Sequence, residues 1–105
     1  MMTGFRLLIV ATFVLKPALA GADDGEALAR AKRCIACHDT DKPLIGPPYR
    51  AIAARHAANS DVMVDVLAQK IIVGGAGNWG VVPMVPNEHV SLDEARAISR
   101  WILSL

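Results

Sequence analysis

Three residues of the stretch "CIACH" carry the clearest chemistry in this 105-residue chain: Cys34, Cys37 and His38. C-x-x-C-H is the pattern through which a haem is attached covalently to protein. On a helical turn the two cysteines lie on one side, and each can form a thioether to a haem vinyl group. His38 follows directly, so its imidazole is brought under the ring, where a nitrogen can bind iron. The rival chemistries need partners that the sequence lacks. A thioredoxin-like dithiol needs a βαβ context. A zinc site needs four ligands, and the two remaining histidines, His56 and His89, stand 33 residues apart with no close His pairing.

The second candidate is Met84 in "VPMVPN". A methionine alone is usually a filler of irregular core gaps. Here Pro83 and Pro86 stiffen the chain on either side of it. Haem iron held by one histidine has a sixth position. A Met sulfur there raises the reduction potential and closes the iron to other ligands. Prolines beside the sulfur reduce the entropy lost when it binds. Met63 is the rival thioether, but it lies on a helix face where core is the natural reading. His56 or His89 would give bis-His ligation instead, although each reads as a surface residue. "GAGNWG", residues 75–80, formally matches G-x-G-x-x-G. A dinucleotide site needs that run after a strand and at the start of a helix. Here it follows a helix and enters a proline-rich loop, so it reads as a backbone that passes close to something flat.

The elements that must position these groups begin after a leader. Residues 1–20 contain a basic Arg6, an apolar run from Leu7 to Leu15 and an Ala18-Leu19-Ala20 ending. That is the pattern of a cleaved signal peptide. An uncleaved anchor is the alternative, but the run is about half the length that spans a bilayer; cleavage after Ala22 is a second option. Residues 21–105 then form a single domain of nine basic and ten acidic residues. Near-neutral charge argues against a nucleic-acid partner. A domain this small often needs a disulfide, metal or cofactor to complete its core. One close cysteine pair in an exported chain does not make a disulfide scaffold.

The expected fold class is all-α. A first helix, capped by Asp23 or Asp24, runs through "GEALARAKRC" with Ala27, Leu28, Ala31 and Ile35 on one side. Pro48 opens a short second helix. Ser60 caps a third over residues 61–73, with Val62, Met63, Val66, Leu67 and Ile71 as its apolar face. Ser91 and Glu94 form a capping box for the last helix, whose stripe is Leu92, Ala95, Ile98, Trp101, Ile102 and Leu105. Between the last two helices lies a long loop, residues 74–90, and loops of that length in small domains are usually functional.

Taken together, "CIACH", "GPPY", "IIVGGAGNWGVVPMVPN" and "SLDEARAISRWILSL" resemble, in order and over essentially all of residues 21–105, the small bacterial class I cytochromes c of the c-551/c-552 type. The resemblance implies four to five short helices wrapped around one covalent haem c. It implies His38 and Met84 as the axial iron ligands and Pro47 as the carbonyl that accepts a bond from the ligand imidazole. It also implies that Asn87 bonds to the Met84 sulfur, and that Lys70 and Trp79 contact a haem propionate. Three departures stand out. Ala29 replaces a common Phe, which predicts weaker packing of the first helix on the last. Arg33 replaces a common Gly before the first cysteine, and Val85 replaces a common Pro.

The expected function is a periplasmic one-electron shuttle, not an enzyme. Its expected partners are redox proteins such as a nitrite reductase, a terminal oxidase or a cytochrome bc1 complex. A monomer without a membrane anchor is expected after cleavage. Arg30, Lys32, Arg33, Arg50 and Arg55 cluster near the attachment site and offer a basic rim for acidic partners, or a solvated face. The rival readings are a haem enzyme or gas sensor with an open sixth position, or a haem subunit of a larger oxidoreductase.

Overall fold

The computed structural model describes residue 4, residues 9–11 and residues 22–105. The expected signal peptide lies almost wholly outside these residues. Among them, no helix is long and apolar enough to cross a membrane. Among the described residues four helices follow one another: α1 (Ala22–Ala31), α2 (Tyr49–Arg55), α3 (Ser60–Val73) and α4 (Leu92–Leu103), with 3₁₀ turns at Cys34–Ala36 and Ala57–Asn59.

The last helix, α4, organises the core, because α1, α2 and α3 all pack on it. Its start is fixed as expected. The Glu94 N–H donates to Ser91 Oγ over 3.1 Å, and the Ser91 N–H donates to Glu94 Oε1 over 3.0 Å. Two orphan donors at the helix N-terminus are thereby satisfied. Ala95, Ile98, Trp101 and Ile102 of the expected stripe are buried, and Leu92 and Leu105 pack at its edges.

The first helix meets α4 on a different face from the one its apolar pattern suggested. Ala27, Ala31 and Ile35 are exposed and Leu28 is half-buried, whereas Gly25 and Ala29 are buried. A Cβ on Gly25 would stand 2.2 Å from the Ala97 carbonyl oxygen and 2.5 Å from Trp101 Cβ. Gly25 and Ala29 therefore face α4, and at Gly25 the two backbones touch. This close approach replaces the weakened contact expected from Ala29, which is 1% exposed. Ala29 also lines a cavity of about 190 Å³ with Ile35, Tyr49 and Trp101.

α1 ends at Ala31 rather than running on to Cys34, because Arg33 takes a left-handed conformation, φ 67°. That is the conformation glycine adopts without cost, which accounts for the glycine the family often carries there. Two other helix starts shift by one residue. Pro48 has ψ 146°, so it stands before α2 as its cap rather than inside it. Ser60 is already helical, and Asn59 precedes it without a side-chain capping bond.

The third helix departs most from its pattern. Val62 and Val66 are exposed, Met63 and Leu67 are half-buried, and the buried residues are Ala68 and Ile71. α3 is apolar on more than one side, so periodicity alone does not choose the stripe that meets α4.

Candidate haem site

The attachment motif is folded as a tight turn. Both the Cys37 N–H (3.1 Å) and the His38 N–H (3.0 Å) donate to the Cys34 carbonyl. The two thiols are free and half-buried, and burial, the largest influence, pushes the Cys34 pKa up. His38 Nδ1 lies 2.7 Å from the Pro47 carbonyl oxygen. A carbonyl can only accept, so Nδ1 carries the proton and Nε2 is left as the metal-binding nitrogen. Such a bond orients a ligand ring and strengthens its basicity.

Two features hold that ring. Gly46 packs flat on it: a Cβ there would stand 2.4 Å from Cε1, 2.8 Å from Nδ1 and 2.9 Å from Nε2. Gly46 is itself fixed by its N–H, which donates to the Cys37 carbonyl over 2.7 Å. On another side, the Tyr49 ring stacks on His38 with centroids 5.5 Å apart, and Trp101 of α4 meets Tyr49 edge-on at 5.0 Å. An aromatic relay therefore connects the core helix to the imidazole. The Tyr49 hydroxyl is buried without a partner among the described residues, and burial raises its pKa far above the ordinary phenol value.

The Met84 loop is pinned close to α3. Gly74 sits at φ 71°, where a Cβ would collide with the Met84 carbonyl oxygen at 2.4 Å. Gly75 and Met84 exchange two backbone hydrogen bonds of 2.9 Å each. Met84 itself is half-buried against the core. The Asn87 amide donates to the carbonyls of Ile71 (2.9 Å) and Val85 (3.2 Å). Both of its donors are thus spent on backbone, not on the Met84 sulfur that the family pattern implies.

Of the remaining predicted residues, Lys70 stands on α3 beside the loop and Trp79 lies within it. A Cβ on Gly75 would stand 3.0 Å from Lys70 Nζ, so the ammonium lies over the loop's start. Trp79, 43% exposed, lies at its tip. Arg55 Cζ sits 3.6 Å from the Trp79 ring centroid. Two groups therefore form: Cys34, Cys37, His38 and Pro47 in one, and Lys70, Met84 and Asn87 in the other. His89 is engaged elsewhere, with Nε2 donating to the Lys32 carbonyl over 3.1 Å.

The expected basic rim is largely committed to internal partners. Arg30 pairs with Glu26, Lys32 with Glu94 and Arg50 with Asp41, and Arg55 covers Trp79. Sequence reasoning missed Gly46, Tyr49 and the role of Arg55. Gly46 had a signal in the "GPPY" run, and Tyr49 in its aromatic character beside it. Arg55 had none.

The residues fit a covalently bound haem. Two thiols and an imidazole on one turn supply the attachment and a nitrogen ligand, and a thioether is held in an ordered loop. Apolar residues near both groups in sequence (Ile35, Leu44 and Ile45; Val81, Val82 and Val85) are exposed, as suits side chains that would cover a large apolar group.

Comparison with known proteins agrees. Residues 22–105 match the cytochrome c family, and the chain belongs to it. It is 46% identical over 80 residues to cytochrome c-552 of Hydrogenobacter thermophilus, covering 76% of this chain and 80% of that one. It is 43% identical over 81 residues to cytochrome c-551 of Pseudomonas denitrificans, covering 77% and 96%. The crystal structure of Nitrosomonas europaea cytochrome c552 superimposes with a TM-score of 0.71 at 42% identity, covering 75% of this chain and 96% of that one. The fold is that of the class I cytochromes c, and the cofactor is one haem c with Cys34 and Cys37 in the attachment spacing. Relatives of this kind make the chain a c-type haem electron carrier.

Proposed function

We propose that this protein is a periplasmic one-electron shuttle, exported by a signal peptide over residues 1–20, with His38 and Met84 as the axial ligands of its haem iron. Bound there, the haem supplies the Fe(III)/Fe(II) couple. The observation that carries the reading is the 2.7 Å bond from His38 Nδ1 to the Pro47 carbonyl, with Gly46 packed on the ring. It leaves Nε2 as the one nitrogen of a fixed imidazole that is able to bind metal. The protein's own task is then to keep both ligands in place in both oxidation states, which lowers the reorganisation that accompanies each transfer. Pro47 and Gly46 do this for the imidazole. The Gly75–Met84 pair and the flanking prolines do it for the thioether. Lys70 and Trp79 suit the haem propionates, because an ammonium and an indole N–H both favour a carboxylate. The partners are redox proteins of the respiratory kind, a reductase, an oxidase or a quinol-oxidising complex, met one at a time by a monomer.

The test is the optical spectrum of the purified protein, ferric and then ferrous, with and without carbon monoxide. A weak far-red sulfur-to-iron band and indifference to carbon monoxide are expected. A missing band with a carbon monoxide shift would transfer the protein to the enzyme or sensor class.

A further inference from the structure

The tip of the Met84 loop has little to hold it. Within residues 76–83 the Gly77 N–H donates to the Gly80 carbonyl over 2.9 Å, which closes a turn but anchors it to nothing. The valines beyond it, Val81 and Val82, are 92% and 62% exposed, so the tip buries little apolar surface. Among the described residues, one side chain from outside the loop makes a hydrogen bond or a ring contact with it. Arg55, the last residue of α2, donates from Nη1 to the Asn78 carbonyl over 2.6 Å. The same guanidinium lies over the Trp79 ring, with Cζ 3.6 Å from the centroid.

This double grip suits arginine in particular. A planar guanidinium can stack on an aromatic face and at the same time direct an N–H in its own plane, whereas a lysine ammonium is a compact point charge. The loop so gripped also leads directly to Met84. Gly75, five residues after Lys70 in α3, and Met84 close the loop's base by their two mutual bonds of 2.9 Å. Arg55 therefore fixes the far end of a segment whose near end carries the thioether.

We infer that Arg55 is a positioning residue for Met84: it tethers the loop tip to α2 and thereby sets how readily the thioether leaves its place. The inference rests on the reading of Met84 as the sixth ligand. Arg55 acts on Met84 indirectly, by restricting the loop. Its removal frees residues 76–83 while leaving the α1–α4 core intact, since α2 retains Tyr49, Ile52 and Ala53 as its buried contacts.

The experiment uses the haem-loaded protein and compares wild type, Arg55→Gln and Arg55→Lys. Imidazole is titrated into the ferric form while the far-red band is followed, and amide hydrogen exchange is recorded on the same samples without imidazole. Arg55→Gln should bind imidazole about threefold to tenfold more tightly, from the loss of one cation–π contact and one charge-assisted hydrogen bond at an exposed site. Arg55→Lys should fall between, because it keeps the charge and loses the fork. The Gly75 and Met84 amides should exchange faster by a similar factor in Arg55→Gln, with the Ile98 amide of α4 unchanged. Equal imidazole affinity and equal loop exchange in all three proteins would overturn the tether. So would a uniform rise in exchange that includes Ile98, which would mean that Arg55 serves general stability. A wild-type protein without the far-red band would instead sink the Met84 ligation reading, and the exchange comparison would still decide whether Arg55 holds the loop.

Discussion

Replacing Gly46 by alanine tests whether the imidazole of His38 is held as tightly as its contacts imply. The added Cβ would stand 2.4, 2.8 and 2.9 Å from three atoms of that ring. Carbon atoms rest at about 3.5–4.0 Å from one another, so ring and backbone must separate by about 1 Å. His38 has one bond to lose in that movement, the 2.7 Å contact with the Pro47 carbonyl. Stretched by about 1 Å, it passes beyond the range in which an N–H···O bond survives. The lost bond costs about 0.5–1.5 kcal/mol and the overpacking about 1–3 kcal/mol. Against this, alanine restricts the unfolded chain and returns about 0.4–1 kcal/mol. Strain wins, with a central net cost of about 2 kcal/mol. For a domain of this size that lowers the unfolding midpoint by about 8–16 °C. A second readout separates this from simple damage. Without the carbonyl acceptor the imidazole is a weaker donor to iron, which favours the ferrous state and raises the reduction potential. The assays are thermal unfolding of the haem-loaded protein and a redox titration. A Gly46→Ala variant that melts within about 2 °C of wild type, at an unchanged potential, would show that the ring is not confined by this contact.

Three further outcomes follow from the packing and the charges. Gly25→Ala gains about 1 kcal/mol of helix propensity but collides with Ala97 and Trp101; overpacking of about 1–3 kcal/mol should dominate and lower the midpoint of denaturant unfolding, whereas a stabilised variant would refute the close helix contact. Glu94 has its pKa lowered, chiefly by the Ser91 N–H and then by Lys32. Its contribution to stability is therefore present above the ordinary carboxylate value near 4.5 and is lost as pH falls through the lower folded value. Glu94→Gln should flatten that part of the acid-unfolding curve, and a curve that parallels wild type would count against the capping box. Tyr49→Phe removes a buried hydroxyl that has no partner among the described residues; the variant should be as stable as wild type or more stable by about 1 kcal/mol, and a clear loss in thermal unfolding would reveal a bond that the hydroxyl makes in the haem-loaded protein.

The residues that bear on the haem were legible because chemistry restricts their types and spacing. Cys34, Cys37 and His38 were read from one pentapeptide. Met84 was singled out by the prolines beside it, and the structure places it in an ordered loop paired with Gly75. The resemblance carried Pro47, and the observed bond to His38 agrees with it. Ser91 and Glu94 were equally clear, because a capping box is a local device whose two bonds depend on four consecutive residues. What the pattern misplaced was decided by tertiary contact. In α1 the apolar residues Ala27 and Ala31 face solvent, as does Ile35 in the turn that follows, because burial on α4 went to Gly25 and Ala29. Any side chain at Gly25 would have held the helices apart; its absence lets the backbones meet.

The misreading of α3 points to the same physical cause seen from the other side. Val62 and Val66 are as apolar as Ile71, yet they are exposed while Ile71 is buried. In an ordinary small domain the number of apolar residues is close to what the protein core absorbs. Here the buried cluster draws on ten residues, four of them from α4, and leaves Ile35, Leu44, Ile45, Val81, Val82 and Val85 outside it. A chain built to surround a large apolar cofactor carries apolar residues for that cofactor as well as for itself. Hydropathy cannot tell the two sets apart, since both are read from the same side chains. The distinction lies in what the backbone does near each set. Residues of the protein core, Val90 excepted, sit on α4 or on the helices that pack against it. Those meant for the cofactor flank His38 and Met84 on segments fixed by a few polar contacts: the Gly46 N–H on Cys37, the Gly75–Met84 pair and the grip of Arg55 on Asn78 and Trp79.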